Sequence, residues 1–324
     1  MKAQSNFNFW PNCFLVNGFQ RILIQDVQKG VHTFLERSTI DNSINKYGYF
    51  NSKQQHSFSN LSLAIRYPVL ISNAEICLTD KIEYEEVFKT LENINCKAIY
   101  IRILDSSSSI ISLFFQLINK YAFQSVELAI NYSEESYDII SSQILNTNNI
   151  NSIFFFSAPN RGYIPRDNEQ KFNLFFTKES INESTCGNIS EYYQTNNLSF
   201  YTESQHYNTC LNRKVCIDEN GFIKNCLSID EHYGNINEVD LKEVVQSEEF
   251  QKLWHIKKDE IKVCKDCEFR HMCMDCRAFI KNPNDIYSQP SKCHYNPYIA
   301  KWKGQEGYIS VEDWQKLQAK KVED

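Results

Sequence analysis

The chain has 324 residues, enough for roughly two or three domains, and its apolar fraction of 42% argues against an intrinsically disordered protein. The formal net charge of -6 argues against a nucleic-acid partner, since phosphate binding needs a concentrated basic surface. The sequence has no run of eighteen apolar residues and opens without a secretory signal, so we expect a cytoplasmic protein with no membrane partner.

Residues 1–67 predict a small β-rich module. Short apolar runs at 14–16 and 21–24 are followed by the turn signal Gln28-Lys29-Gly30, and residues 31–35 are typical of the returning strand. Two further features are expected before the next domain, a short helix over 39–47 and a polar loop over 51–56.

Residues 68–205 predict alternating strands and helices. The strands are expected over 69–76, 98–104, 126–130, 153–156, 171–176 and 198–201. The helices are expected over 83–94, 110–121 and 133–145, the last opened by Ser133 with acidic residues in its first turn. This alternation favours a parallel sheet, but the pattern does not distinguish a partial barrel from an open sheet.

The twelve cysteines are the most informative residues of the sequence. Disulfides are improbable in a reducing compartment, where clustered cysteines are more often metal ligands. Cys13, Cys77, Cys96 and Cys186 are scattered in apolar or strand-like contexts and are predicted to pack in cores. The other eight lie close together between positions 210 and 293: Cys210, Cys216, Cys226, Cys264, Cys267, Cys273, Cys276 and Cys293.

The spacing of these eight cysteines predicts metal binding. Two Cys-x-x-Cys pairs fall within thirteen residues, at 264–267 and 273–276. Eight thiolates equal two sets of four, and a [4Fe–4S] cluster binds four. Zinc also accepts four cysteines, and a purely structural set of buried cysteines is a third reading. A hairpin predicted at 218–221 would bring Cys226 back towards Cys216, and Ser247 is a candidate N-cap of the helix that precedes Cys264.

The order and spacing of these cysteines, with Gly221 shortly before Cys226, resemble the SPASM domain of radical SAM enzymes. In that family two auxiliary [4Fe–4S] clusters have interleaved ligands. The resemblance implies that the first cluster is bound by Cys210, Cys216, Cys226 and Cys276. It implies that the second is bound by Cys264, Cys267, Cys273 and Cys293. The gap between Cys273 and Cys276 is one residue shorter than in some members of the family.

A narrower resemblance covers almost the whole chain. Segments 203–205, 212–214, 258–261, 267–270 and 293–298 are similar to the SPASM-domain peptide maturases of grasp-with-spasm systems. Those systems pair such a protein with an ATP-grasp ligase and a ribosomally made precursor peptide, which the resemblance implies as partners here.

The fold that the resemblance implies combines α+β and α/β parts. It consists of a β-rich, winged-helix-like precursor-recognition module, a degenerate partial (β/α) barrel of the radical SAM type and a SPASM iron–sulfur domain. The corresponding boundaries are 1–67, 68–205, 206–300 and a C-terminal tail over 301–324.

The chain departs from working radical SAM enzymes at the motif that binds their catalytic cluster. The Cys-x₃-Cys-x₂-Cys spacing is missing from the sequence, and Cys77 stands alone where such a loop would begin. We therefore expect no S-adenosylmethionine cofactor, and whether the chain is an enzyme stays open.

Three functions are compatible with this pattern. They are a precursor-binding protein of peptide modification that carries auxiliary clusters, an enzyme that uses them or another site, and a zinc-stabilised scaffold without a redox role. For an enzyme the acid–base candidates are few, and Arg102, Asp105 and Glu127 are more typical of structural or solvated charges.

The remaining residues near the cysteines are expected to have surface or packing roles. His206, His271 and His294 are expected at the surface or in packing contacts. Residues 295–298 and Trp302 are expected to pack over the cluster domain, and Lys257 and Lys258 are expected on a solvated face.

Overall fold

The computed structural model of the protein describes residues 12–36, 69–144, 147, 149–167 and 171–323. The predicted helix over 39–47 and loop over 51–56 lie outside these residues. In chain order the strands are β1 Cys13–Asn17, β2 Arg21–Asp26, β3 Val31–Glu36, β4 Asn73–Cys77, β5 Ala98–Ile103, β6 Ser125–Asn131, β7 Ile150–Phe156, β8 Gly162–Ile164, β9 Asn173–Phe176, β10 Lys214–Ile217, β11 Ile223–Lys224, β12 Tyr295–Asn296 and β13 Lys301–Trp302. The helices are α1 Glu85–Asn93, α2 Ser108–Lys120, α3 Glu134–Gln143, α4 Leu198–Ser204, α5 Leu241–Gln246, α6 Glu248–Gln251 and α7 Val311–Glu323.

The chain divides into two compact units, each assembled from separate stretches of sequence. The sheet unit comprises Tyr67–Cys186 and Leu211–Leu253. The cysteine-rich unit comprises Met1–Arg66, Gly187–Cys210 and Trp254–Asp324. Each predicted domain is one continuous range of residues, whereas each unit combines separate stretches of the chain. The units therefore do not test the predicted domain boundaries, which stay predictions.

The sheet unit is built on an eight-stranded sheet with the order β11-β10-β4-β5-β6-β7-β9-β8. The six inner strands are all parallel, and β11 and β8 pair antiparallel at the two edges. The predicted parallel sheet is therefore confirmed. The strand β10 carries Cys216 and pairs with β4, so part of the cysteine-bearing sequence belongs to the main sheet.

Alternating burial along the strands explains why these residues form a sheet. In β5, Ile99, Ile101 and Ile103 are fully buried, whereas Tyr100 and Arg102 point to the other face and are partly exposed. The helices that connect the strands are amphipathic and bury large side chains such as Phe88 and Phe114. This face of the sheet and these helices supply the core of the unit.

Local capping residues set the helix boundaries. Ser133 accepts a hydrogen bond from the backbone of Ser136, and the Ser136 side chain accepts one in return, which confirms the predicted start of α3. The predicted strand over 198–201 is wrong, because these residues begin α4. The side chain of Asn197 accepts from the backbone of Phe200 and favours a helix start.

The N-terminal sheet of the cysteine-rich unit has the order β1-β2-β3, with the predicted hairpin turn closed by Gly30 at φ +68°. It packs directly on the cysteine-bearing loops of the same unit. Phe14 stacks on Tyr201 with ring centroids 4.0 Å apart, and the backbone N–H of Phe19 donates to the carbonyl of Asp266 at 2.7 Å. The strands β12 and β13 form a two-stranded ribbon in this unit.

Candidate metal centre

Four of the eight predicted ligands surround one cavity of the cysteine-rich unit. Cys264, Cys267, Cys273 and Cys293, here called the second quartet, line it together with Lys258. Cys264 and Cys273 are buried, and Cys267 and Cys293 are half-buried. The four residues that the resemblance assigns to one cluster therefore line the same cavity, and their role as ligands stays a prediction.

Short irregular elements position the second quartet. Cys264 begins a single 3-10 turn that ends at Asp266, and the backbone of Cys267 donates to the carbonyl of Cys264. Val263, just before the turn, has a φ of 69°, which is rare for a β-branched residue. Cys273 and Cys293 are held from another segment by isolated bridges to Gln194 and Ile189.

Aromatic side chains enclose this cavity. Phe269, Tyr295 and Trp302 line it or pack beside it, and the rings of Tyr295 and Trp302 have centroids 4.7 Å apart. Phe269 meets Tyr295 edge to face at 5.1 Å. Residues 295–298 and Trp302 were expected to pack over the cluster domain, and Tyr295 and Trp302 of this set line the cavity beside the thiols.

Burial changes the acidity of the second quartet. Desolvation raises the pKa of Cys264 and of Cys273 to about 11, although the neighbouring Lys258 ammonium acts in the opposite direction. The thiolate is the form that binds a metal, so loading of this site must release protons.

Lys258 is the residue of this site that sequence reasoning missed. It was predicted on a solvated face, but its side chain is only 5% exposed. Its ammonium lies 3.6 Å from Oδ1 of Asp275, and its side chain lines the same cavity as Cys273. Burial opposes the charge of Lys258, but the facing thiols and Asp275 raise its pKa well above its ordinary value. The only sequence signal was its position six residues before Cys264.

The donor set of the second quartet fits an iron–sulfur cluster. A [4Fe–4S] cluster binds four cysteine thiolates, and four cysteine side chains line this largely apolar cavity. The buried ammonium of Lys258 adds a positive charge beside sulfur atoms that would become anionic.

The predicted ligands of the first cluster come from both units and are described in each unit separately. In the cysteine-rich unit, a Cβ at Gly187 would lie 2.9 Å from Sγ of Cys276, so glycine leaves room for that thiol. The backbone N–H of Cys210 donates a hydrogen bond to the side-chain oxygen of Asn208, which orders its loop. In the sheet unit, Cys216 lies on β10 opposite Lys224 of β11, and the hairpin turns at Gly221 with φ +83°. The predicted hairpin is confirmed.

The scattered cysteines follow the prediction with one exception. Cys13, Cys77 and Cys96 are buried in cores, as expected. Cys186 is exposed, so its predicted core position is wrong. It follows a 3-10 turn in an irregular segment, where apolar sequence context gives no guide to burial.

The polar candidates of the sheet unit form a structural ion network. Arg102 and Lys214 both pair with the buried Glu75, and the Lys214–Glu75 contact is 2.8 Å. Burial opposes ionisation of Glu75, but Lys214 and then Arg102 lower its pKa below the ordinary value. The expected structural role of Arg102 is thereby confirmed. Glu127 is partly buried, and desolvation raises its pKa.

One of the three histidines near the cysteines is buried. Nδ1 of His271 lies 3.1 Å from the Ser204 hydroxyl, a packing contact of the expected kind. Desolvation and the neighbouring Arg270 lower the pKa of His271 to about 4, so it is neutral near pH 7.

Two searches of the described residues gave negative results. In the part of the chain that the structure describes, no group of three or more His, Cys, Asp or Glu side chains, the second quartet included, is close enough to bind a metal ion as it stands. None of the helices described is long and apolar enough to span a bilayer.

Comparison with protein families decides the identity of the cysteine-bearing segment. Residues 209–268 match the SPASM family, an iron–sulfur cluster-binding domain. The predicted SPASM resemblance is therefore confirmed. The matched segment includes Cys264 and Cys267 of the second quartet, and Cys273 and Cys293 follow it in the sequence.

Comparison with solved structures finds two crystal structures of Streptococcus suis SuiB, one of them bound to S-adenosylmethionine. Each is 9% identical to this chain and superposes with a TM-score of 0.40. The alignments cover 84% of this chain and 95% or 96% of SuiB. A search of curated proteins finds no match.

Proposed function

We propose that this chain is an iron–sulfur component of a pathway that modifies a ribosomally made peptide. The observation that carries the proposal is the second quartet, whose four thiols line one cavity in a chain that matches the SPASM family. The eight clustered cysteines and the resemblance support two [4Fe–4S] clusters, with the second quartet as one ligand set.

The second quartet would hold its cluster through Cys264, Cys267, Cys273 and Cys293, and a cluster bound there would supply one-electron transfer. The thiols lose their protons on loading. Lys258 places a positive charge next to the resulting thiolates. Phe269, Tyr295 and Trp302 keep bulk water away from the sulfur atoms.

The N-terminal sheet is the proposed site of precursor binding. Because β2 is central, β3 is an edge strand, and Val31 at its start is 46% exposed. An extended peptide can add to such an edge through main-chain hydrogen bonds. Next to this strand lies a cavity of about 320 Å³, a size suited to a peptide side chain, lined by Arg21, His32, Phe34, Glu191, Tyr192, Phe269, Ala300, Trp302 and Gln305.

Backbone methylation of the peptide tests this binding mode without changing the protein. The probe is a set of synthetic cognate precursor peptides, each methylated at one backbone nitrogen. Strand addition predicts that affinity falls at every second position and is unchanged at the positions between, because alternate N–H groups point to the edge. Equal losses at all positions, or no binding of the unmodified peptide, would contradict strand addition.

The cavity beside β3 is tested with two neighbouring tyrosines. Tyr192 lines the cavity, whereas Tyr193, which is also exposed, does not. We expect Tyr192→Ala to weaken precursor binding and Tyr193→Ala to leave it unchanged. The same loss in both variants would place peptide binding elsewhere.

An ATP-grasp ligase is the proposed enzymatic partner in this pathway, on the basis of the sequence resemblance alone. Size-exclusion chromatography of the chain with the cognate ligase and precursor tests it. A ternary complex is expected, and separate elution of all three would contradict the partnership.

The missing Cys-x₃-Cys-x₂-Cys motif supports a role without radical initiation. We expect the reconstituted protein to form no 5′-deoxyadenosine above background when S-adenosylmethionine and a reductant are added. Formation of that product would show that the chain initiates radicals by another arrangement of ligands.

A further inference from the structure

Lys258 lies in an unusual position for a lysine. Its side chain is 5% exposed and lines the same cavity as the second quartet. The cavity that Lys258 lines is also lined by Cys264, Cys273 and Cys293. A buried ammonium is costly unless a negative group faces it.

Asp275 is the nearest carboxylate to the ammonium of Lys258, but Arg277 already neutralises the charge of Asp275. Oδ1 of Asp275 lies 2.8 Å from Nη2 of Arg277, closer than the 3.6 Å to Lys258. Oδ2 of Asp275 accepts a hydrogen bond from Asn208 at 3.0 Å. Both Asp275 and Arg277 are buried, so they neutralise each other within the site. Two cations, Lys258 and Arg277, thus share one carboxylate, so the group carries one excess positive charge. The side chain of Lys258 lines the cavity of the thiols.

The charge of a site that holds a cluster determines the effect of the positive charge of Lys258. Four thiolates and an oxidised [4Fe–4S]²⁺ core carry a net charge of about -2, which is costly to bury in an apolar cavity. A fixed ammonium at the cavity wall reduces that cost. It also acts unequally on the two oxidation states, because the reduced site carries one more negative charge.

We propose that Lys258 tunes the second cluster, raising its reduction potential through the positive charge of a buried side chain that lines the same cavity as the four thiols. This role rests on the proposed loading of the second quartet with an iron–sulfur cluster. In the step concerned, one electron passes from a reductant such as dithionite to the core, from [4Fe–4S]²⁺ to [4Fe–4S]¹⁺. The net charge of the four thiolates and the core goes from about -2 to about -3.

The test is a potentiometric titration of the full-length, anaerobically purified protein, followed by electron paramagnetic resonance. Lys258→Met removes the charge and keeps most of the side-chain length. Lys257→Met is the matched control, because Lys257 is half-buried, donates to the carbonyl of Gln205 and does not line the cavity. We expect Lys258→Met to lower the potential of one cluster couple and Lys257→Met to leave every couple unchanged.

Two more variants keep the test decisive if the Lys258→Met protein incorporates little iron–sulfur cluster. Lys258→Arg keeps the charge and should hold the potential close to that of the wild type. Asp275→Asn removes a negative charge from the same site and should move the same couple in the opposite direction. Cluster loss in Lys258→Met with retention in Lys258→Arg also supports the proposal, because charge is the property that differs.

The inference is overturned if Lys258→Met and Lys257→Met shift the couple equally, or if Lys258→Met leaves it in place. It is likewise overturned if Lys258→Arg loses the cluster as completely as Lys258→Met, which would indicate a packing role. Iron and acid-labile sulfide in the wild type report separately on the proposed function. A wild type without them contradicts that function and the role of Lys258 together.

Discussion

The two units of this protein bury charge in different ways. In the sheet unit, Glu75 is surrounded by Arg102 and Lys214, so the buried carboxylate has protein partners. In the cysteine-rich unit, Asp275 pairs with Arg277, and the ammonium of Lys258 faces thiols instead. Glu75 thus has two cationic partners within the sheet unit, whereas Lys258 shares Asp275 with Arg277 and gains further anionic partners when the thiols ionise.

The two units also differ in how their backbones are held. Long ladders of parallel strands and buried isoleucines stabilise the sheet unit. Around the second quartet the chain has a 3-10 turn, isolated bridges and two-residue strands. We infer that the sheet unit is stabilised by its own packing and that the loops of the second quartet depend on a bound cluster, since such sites couple folding to metal binding.

The largest expected effect comes from removing one thiol of the second quartet. Cys273→Ala should lower the iron content and increase hydrogen exchange over residues 264–276, because a cross-link between loops is lost. Strands β5 and β6 should keep their protection. The matched control is Cys13→Ala, which removes a buried thiol of the same unit outside the quartet. Equal loss of iron in both variants would contradict the dependence on this site.

Breaking the ion network should destabilise the sheet unit rather than the loops of the second quartet. Glu75→Gln leaves Arg102 and Lys214 without their buried carboxylate, at a cost of about 3–5 kcal/mol of unfolding free energy. Denaturant unfolding measures this loss. Glu86→Gln is the control, since Glu86 pairs with Lys89 at the surface and should contribute about 0–1 kcal/mol.

The ion network also predicts how stability depends on pH. Lys214 and Arg102 hold the pKa of Glu75 below its ordinary value, despite its burial. The contribution of Glu75 is therefore present above the pKa of an unfolded glutamate and is lost as pH falls through the lower folded-state pKa. A Glu75→Gln penalty that stays constant into acid would contradict this account.

The capping box of α3 should make a smaller contribution within the sheet unit. Ser133→Ala removes the side chain that accepts from the Ser136 backbone, at a cost of about 1 kcal/mol. Ser142→Ala provides the control, because Ser142 lies late in the same helix and its hydroxyl donates only to the carbonyl of Ile139. We expect Ser133→Ala to have a lower melting temperature than Ser142→Ala. Equal melting temperatures would show that the cap does not stabilise the protein.

The smallest expected effect is a gain in stability. Desolvation raises the pKa of Glu127, so its ionised form is disfavoured in the folded state at neutral pH. Glu127→Gln should raise the melting temperature near pH 7, and the gain should vanish below the ordinary pKa of glutamate, where both states are protonated. A loss of stability at neutral pH would show that Glu127 has a stabilising partner.

The same contrast explains what the sequence could predict. In the sheet unit, alternation such as that of Ile99, Ile101 and Ile103 correctly located the parallel strands, because burial follows a regular period there. The family resemblance implied one ligand set that includes Cys264, Cys267 and Cys273, and these residues line one cavity. Their role as ligands of one cluster stays a prediction.

The failures lie where no regular period exists. Leu198 and Tyr201 looked like strand residues, but the cap at Asn197 favoured a helix. Lys258 looked solvated beside Lys257, because lysine is rarely buried and its partners, such as Cys273, are distant in sequence. Cys186 looked like a core residue, yet it lies in an irregular, exposed segment. Each error depended on a contact that local sequence does not show.

The central claim is that the second quartet binds an iron–sulfur cluster, and metal analysis after anaerobic purification tests it most directly. Iron, acid-labile sulfide and zinc are measured per chain in the wild type and in Cys264→Ala/Cys273→Ala. With two [4Fe–4S] clusters, we expect about eight irons in the wild type and about four in the variant, with broad visible absorption in both. Zinc without sulfide in the wild type, or equal iron in the two proteins, would contradict the claim.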